Sequence, residues 1–512
     1  MALLNCLSFI LCLLLSDLFR VDTLHSPISS RLASKAESSV QGDRHTASHA
    51  RLEQPRKNSE TEWNLGKYAF SLLPLSPGDR RKTLFKEVVK GSIWTADQIQ
   101  GVVNVNVPVR SVIVKLSEGG LLVYNPVGPT KELRDYIKGL EQRHGNVKHI
   151  VLGSLGLEHK ALAGPFCQYF QNSQVWQQPG QWSFPVNLPS WFFGFPFGSK
   201  LQTLPTDFEL EEGKRNNENP FSADFDMQVL GPLYFKSVGG FGETALFHRS
   251  TGTLLVTDAV ITVGDTPPDI IAEDPRSLLF HARDSMLEKV EDTPEVRARG
   301  WRRMALFGLC FYPSKIDVES PGKVVSMLSQ VEPDMAVLGQ GAIPGNGGLY
   351  PWSWRESEES SFRALQGKGG RTASRSSPAL LVAPILQKLI LNREPGRVLK
   401  WADKVSQWPI KRIIPAHFEN DIKADGRSFR NAFNFLETGY AAFEGSGGSG
   451  SSSGGGGLSG LSFLFNGRSS TKSAAANAKA NLAGATSDDL ALLDVVSEVF
   501  TKLGIVAPAR VP

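Results

Sequence analysis

The sequence predicts a layered α/β architecture, and three observations carry that expectation. The first is Val147–Leu152 (V-K-H-I-V-L), an apolar, β-rich run of strand length. The second is the stretch just past that run: Gly153 and Gly156 break the chain, and Glu158 and His159 then stand side by side. The third is the order of elements around this stretch: hairpin, helix, the strand itself, a loop with ligand-type residues, helix, strand. That order layers helices on a sheet instead of segregating them. A carboxylate and an imidazole just past a buried strand are raw material for a metal or acid/base site. A Glu-His pair in a loop is more commonly a solvated surface pair, so the reading depends on what the rest of the chain supplies.

The folded part is expected over residues 63–443. Residues 111–116 (S-V-I-V-K-L) form a strand, Glu118, Gly119 and Gly120 a turn, and Leu121–Tyr124 a second strand, which makes a hairpin. The Asn125-Pro126-Val127-Gly128-Pro129 stretch breaks the chain. Thr130 then caps a helix with Leu133, Ile137 and Leu140 on one face, and Gly145 ends it. After the Glu158-His159 loop a helix is expected over 161–170 and a strand over 174–176. Further on, residues 244–249 and 254–257 make a hairpin through Ser250, Thr251 and Gly252, and its second strand runs into Asp258. Residues 410–414 form an apolar strand that leads to Pro415, Ala416 and His417. His248, on the first strand of the second hairpin, is a weaker candidate ligand, because a strand histidine is more often a hydrogen-bonded structural residue. Two aromatic clusters, 182–197 and 301–312, read as core packing. For the first, a roof over a substrate pocket and contact with a membrane are the alternatives. The Gly-, Ser- and charge-rich stretch 345–377 reads as a disordered or lid-like surface insertion.

The two ends have different compositions from the middle. With 512 residues the chain is long enough for several average domains or one large domain with appendages, and a net charge of +4 makes no case for nucleic acid. Residues 3–15 are an uncharged apolar run, too short for a comfortable membrane span, and 1–20 read as a signal-peptide-like segment. Residues 21–62 are rich in Ser, Arg and His and contain no aromatic residue, a composition that stays disordered. Together they resemble the two-part targeting sequence of algae whose plastid lies inside extra membranes; a secreted protein with a disordered start is the alternative. Of four cysteines, Cys6 and Cys12 lie in the apolar run, which leaves Cys167 and Cys310. Two are too few for a disulfide framework and lean toward a reducing compartment such as a plastid stroma. At the other end, 444–486 is a Gly/Ser/Ala-rich linker. Residues 487–512 hold an amphipathic helix with Ser487 as its cap and Leu493, Val496, Phe500 and Leu503 on one face. That face is expected to dock either a protein partner or the chain's own core. No integral membrane span is expected in the mature chain.

The order of elements resembles the first half of a metallo-β-lactamase fold, an αββα sandwich, here with insertions. In that superfamily the strand after the first helix runs into a Thr-His-x-His-x-Asp-His loop. The matching stretch is Gly153 to His159, in which Ser154 and Gly156 replace the first two histidines, Glu158 stands for the Asp and His159 for the last His. Thr257-Asp258 is similar to the strand-ending acid of the family, and Pro415-Ala416-His417 to its last histidine. The family's separate mid-chain His has no match, since Gly240-Phe241-Gly242-Glu243 occupies its place. The S-I-W-T run at Ser92, E-H-K at Glu158, P-G-Q-W-S-F-P at Pro179 and F-H-R-S at Phe247 are closer still to a plastid and cyanobacterial branch known as a domain of unknown function.

That resemblance implies one remodelled metal site, since the first ion has lost its two histidines. Glu158, His159, Asp258 and His417 remain, with His248 as the substituted-ligand candidate. Two imidazoles and two carboxylates suit one divalent ion, Zn, Mn or Fe. Such an ion can polarise a phosphoryl or acyl oxygen and lower the pKa of a bound water, with Glu158 and Asp258 as the catalytic carboxylates. The expected function is a plastid-targeted metal-dependent hydrolase acting on an unidentified small molecule. The alternatives are an inactive fold used as a binding or assembly module and, third, a redox or sensor protein with one carboxylate-rich iron site.

Overall fold

A computed structural model of the protein describes residue 60 and residues 81–510, except 103, 182–186, 207–218, 236–238, 311–312, 333–348, 368–377 and 438–486. The expected targeting segments, save Glu60, and the linker therefore lie outside the described residues. Seven strands form the first sheet in chain order: β1 (Leu84–Val89), β2 (Ile93–Val102), β3 (Val105–Lys115), β4 (Leu121–Tyr124), β5 (Val147–Leu152), β6 (Gln174–Gln177) and β7 (Leu201–Thr203). The first four pair antiparallel and the rest, from β4 onward, parallel. The second sheet runs from β8 (Phe225–Phe235) through β9 (Gly239–His248) and β10 (Thr253–Leu255) to β13 (Arg412–Ile414), which lies parallel to β10. Two short strands, β11 (Ile316–Val318) and β12 (Trp352–Trp354), pair with each other.

Side-chain alternation explains why two sheets and two helix layers stack. Along β4, Leu121 and Val123 share a core with Leu133, Ile137 and Leu140 of helix α1 (Lys131–His144). Leu122 and Tyr124, on the opposite face, share one with Phe225, Leu246, Leu255 and Ile414 of the second sheet. The second sheet repeats the pattern. Leu246 faces inward, while Ala245 and Phe247 join the outer core, to which the later helices contribute Trp301, Ile385, Leu389 and Trp401. The result is helix layer, sheet, sheet, helix layer, the αββα sandwich that the sequence predicts.

Helix α1 forms where the cap chemistry places it. The Thr130 hydroxyl accepts the Leu133 amide at 3.3 Å, and Gly145 closes the helix at φ +93°. Helix α2 (Leu157–Cys167) departs from expectation by starting four residues early, with Gly156 as its cap. Glu158 and His159 are thus in a first helical turn and not in a loop, a position where the helix dipole favours a carboxylate.

The stretch 345–377 also departs from expectation. Among its described residues Tyr350 is buried, β12 pairs with β11, and a helix spans Glu359–Leu365. Its anchor is Glu358, buried and paired with Arg302 at 2.7 Å and Arg303 at 3.1 Å. Arg303 in turn lies over the Trp354 ring at 4.5 Å. Desolvated ions persist in a core only when paired this way. In the second aromatic cluster, Trp301 is fully buried and donates to the Gly264 carbonyl at 2.9 Å.

The terminal helix α6 (Ala491–Lys502) resolves the choice the sequence left open. It packs on helix α4 (Pro384–Leu389), which also contacts α3 (Pro294–Cys310); α5 (Pro395–Ser406) follows α4 in the chain. Leu490, Leu493, Val496, Phe500 and Val506 join the main core, so the face that the sequence left to either a protein partner or the core is covered by the chain itself. Leu503 does not share that face and is exposed, and Leu490 stands at the cap in place of Ser487. Polar contacts fix the register: Lys388 pairs with Asp494 at 3.0 Å, and Arg393 donates to the Ala507 carbonyl at 2.8 Å. Because Leu493 is fully buried, Leu493→Ala is expected to destabilise the protein by about 2–5 kcal/mol. Thermal melts of the full chain should therefore show a clear drop in Tm, whereas Leu503→Ala should leave it unchanged.

Candidate metal centre

Three strand ends meet at one end of the sandwich. Strands β10 and β13 are parallel neighbours, so Asp258 and His417, each three residues past its strand, leave the sheet on the same side. The two loops stay paired beyond the strands through Ala416 N–H to the Thr257 carbonyl at 3.2 Å. The end of β5 is joined across to the second sheet by Thr244 N–H to the Gly153 carbonyl at 2.8 Å and by a bridge between Ser154 and Glu243. A buried polar knot completes the seam. The Asn125 amide accepts from Gly153 N–H and donates to the Thr257 hydroxyl, both at 2.8 Å, and the Tyr124 hydroxyl donates to the Thr244 carbonyl at 2.6 Å.

This seam gathers Glu158, His159, Asp258 and His417, whose ligand atoms all lie within 4.8 Å of one another. His159 Nε2 is 3.2 Å from His417 Nε2, which is 3.1 Å from Asp258 Oδ1. Ligands on one tetrahedral zinc stand roughly 3.3 Å apart, given bonds of about 2.0–2.1 Å, so these spacings fit donors around a single ion. The tautomer fits as well. His417 Nδ1 donates to the Pro108 carbonyl at 2.8 Å and so turns Nε2 toward the cluster. His159 Nδ1 is buried without a hydrogen-bond partner.

Electrostatics separate the two imidazoles. Burial first, then the neighbouring His417, push His159 down to about 4. Burial also opposes charge on His417, but the hydrogen bond and charge of Asp258 outweigh it and hold this ring above the ordinary histidine value. Asp258 responds in kind: burial would raise its carboxyl, and His417 holds it below the usual range. His417 and Asp258 thus favour each other's charged forms, in the space that a cation fits.

His248 does not join the cluster. Strand β9 runs antiparallel to β10, so its last residue lies opposite Thr253 at the start of β10, far from Asp258. Its Nδ1 contacts the Thr251 hydroxyl at 2.9 Å and its ring packs on Phe225, a structural role. Ser154 and Gly156, where the family motif has histidines, are structural too. The Ser154 hydroxyl accepts from Gly156 N–H at 3.1 Å, and a Cβ on Gly156 would stand 3.0 Å from the His159 ring and 3.1 Å from the Glu158 carboxyl.

Two supporting residues escaped the sequence reading. Glu243 is fully buried and accepts the consecutive amides of Thr257 and Asp258 at 2.6 and 2.8 Å. Burial, then the Asp258 charge, push it up to about 8 against the pull of those amides. Its signal was an acid inside an otherwise apolar strand, where an ionisable group has to have a partner. Arg110 grips Asp97 through two nitrogens at 2.8 and 2.7 Å and donates to the Pro415 and Phe418 carbonyls at 2.7 and 2.9 Å. It thereby holds the His417 loop on both sides, including Phe418 at φ +57°, a strained value for a non-glycine residue.

A family model described as a domain of unknown function (DUF4336) matches residues 90–435. The chain belongs to that family. The DUF4336 domain accordingly takes in both sheets from β2 onward and all four clustered ligands, and its layering is the metallo-β-lactamase-like fold. Solved structures similar to it include a flavoprotein from Thermotoga maritima, at 10% identity and TM-score 0.32 over 70% of this chain and 62% of that one. A flavodiiron core from Synechocystis gives 9% and 0.32 over 71% and 62%, and a metallo-beta-lactamase from Pontibacter korlensis 14% and 0.24 over 38% and 83%. The chain spans less than two thirds of the flavodiiron structures it matches. No curated protein matches it.

Four variants separate ligands from supports. His417→Ala is expected to abolish stoichiometric metal in elemental analysis, and His248→Ala to leave it unchanged. Glu243→Gln, which turns an amide donor toward peptide N–H groups, is expected to cost about 10–100-fold in metal affinity in a chelator competition. Gly156→Ala is expected to weaken binding as well, because its new methyl presses on both His159 and Glu158.

Proposed function

We propose that the protein is a hydrolase built on a single metal ion held by Glu158, His159, Asp258 and His417. The observation that carries this reading is a chamber of about 20 Å³ beside the cluster. It is lined by Glu158, Asp258 and His417 and by apolar side chains that include Val107, Phe241, Leu386 and Phe418. A space of that size admits a water. Four protein donors saturate a tetrahedral ion but leave open positions on an octahedral one, which favours Mn or Fe over Zn here. An ion held there would supply a Lewis acid and a more acidic water. Glu158 and Asp258, each with a second carboxyl oxygen, would hold the ion and could orient a water in the chamber. The Pro108 carbonyl keeps His417 Nε2 aimed inward, and the apolar wall excludes bulk solvent, which strengthens each of these interactions.

A specific observation supports a second reading. The two positions that would serve another ion are occupied by packing at Ser154 and Gly156, as in a fold retained for binding or assembly. Full-length protein, expressed with Zn, Mn and Fe available and never exposed to chelator, separates the two. The hydrolase is expected to hold about one ion per chain and to release p-nitrophenol from bis(p-nitrophenyl) phosphate or p-nitrophenyl acetate only when loaded. Stoichiometric metal without turnover on either compound would favour the binding module, and absence of metal would remove the hydrolase reading.

For location, the apolar run and the Ser- and Arg-rich stretch after it support delivery to a plastid. A fluorescent reporter carrying residues 1–60 is expected to enter that organelle. Its appearance in the medium would point to secretion.

A further inference from the structure

We propose that the turn carrying Trp191, Phe192 and Phe197 is a membrane-docking tip that seats the protein on a lipid surface. These residues are 52%, 50% and 72% exposed, and no packing requirement of the fold accounts for them. The same turn does have inward anchors. Phe193 and Phe195 are buried against helix α2, the Phe193 carbonyl sits where a side chain on Gly164 would stand, and Gln168 donates to the Gly194 carbonyl. The outward aromatics therefore project from a fixed base. Trp191 stacks on Phe197 with centroids 6.0 Å apart and meets Phe192 edge-on at 6.4 Å, so the three form one patch. Tyr169, 41% exposed, adjoins the anchoring Gln168 and carries Arg134 over its ring at 4.1 Å.

Charge and area decide the occupant. No Asp or Glu occurs between Glu158 and Asp207, while Lys200 is exposed just past the turn and Arg134 stands at the rim. Aromatic side chains on a carboxylate-free stretch of chain, with Lys200 beside them, match the interface of a bilayer carrying anionic headgroups. At 150–250 Å² for a whole aromatic side chain, the four exposed portions offer on the order of 400 Å², about half of the roughly 800 Å² per partner of a stable protein interface. Insertion into a bilayer needs no complementary surface and is not bound by that requirement. No described helix is long and apolar enough to cross a membrane, so the attachment is peripheral. Because the tip is seated on α2, whose first turn carries Glu158 and His159, docking holds the candidate metal centre at a fixed distance from the lipid.

Hydrogen exchange of the full chain, read by mass spectrometry with and without vesicles of phosphatidylcholine and phosphatidylglycerol, tests this locally and independently of residues 1–60. Peptides covering 187–200 are expected to be protected at least threefold by the mixed vesicles. The Trp191→Ser, Phe192→Ser, Phe197→Ser triple variant, whose changes are on the surface, is expected to lose that protection and keep the wild-type Tm. Lys200→Glu is expected to reduce it on mixed vesicles but not on pure phosphatidylcholine. Unchanged exchange in 187–200 while vesicles are bound elsewhere would overturn the proposal. So would concentration-dependent protection of the same peptides without lipid, which would assign the patch to a second copy of the chain.

Discussion

The candidate metal centre depends on one buried acid. Glu243 reaches from the middle of β9 to the peptide just past β10 and accepts two consecutive amides, those of Thr257 and Asp258. Buried amides need acceptors, and a turn leaving a sheet has no ladder to supply them. Glu243 supplies both, and its own backbone bridges Ser154 beyond the end of β5. One residue therefore sets the Asp258 loop against the Glu158-His159 turn. Arg110 does the same for the third loop, holding the carbonyls on both sides of His417 while Asp97 neutralises it.

Such a site is costly to build from protein alone. Two imidazoles and two carboxylates are buried together, and the opposing shifts of His159 and His417 express that cost: burial and its neighbour hold the first down, while Asp258 holds the second up. A divalent cation removes the conflict, since it favours neutral imidazoles and ionised carboxylates together. The degenerate motif has a physical counterpart too. Where a second ion would need donors, the chain has Ser154 bonded to the turn that starts α2, and a glycine with no space for a side chain. The turn offers donors for one ion at most on this side.

The tail and the metal centre share a wall. Helix α4 lies between them: Leu386 lines the chamber, and Lys388 and the nearby Arg393 hold α6 through Asp494 and the Ala507 carbonyl. Residues beyond the Gly/Ser tract thus support the back of the chamber, although the family match ends at residue 435. Burial of five apolar side chains accounts for the attachment, because a helix of 12 residues has little stability in water by itself.

The sequence by itself determined what is local. Thr130 and Gly145 delimit α1 through cap and turn chemistry, Val147–Leu152 is a strand by composition, and Gly153 to His159, Asp258 and His417 were legible as ligand candidates because each comes just after a strand that sequence pattern identifies. The early start of α2 was not legible, since Gly156 as a cap looks like any loop glycine. His248 could be placed on its strand, but only the antiparallel pairing of β9 with β10 shows that it lies at the wrong end. Tertiary structure also decided where the apolar faces went. The periodicity of α6 is the same whether it binds a partner or its own core, and the order within 345–377 depends on Glu358 meeting Arg302 and Arg303 across the chain. Capping and strand propensity act between near neighbours, whereas ligand convergence, buried ion pairs and helix docking join residues up to some hundreds of positions apart, and only the packed chain brings those together.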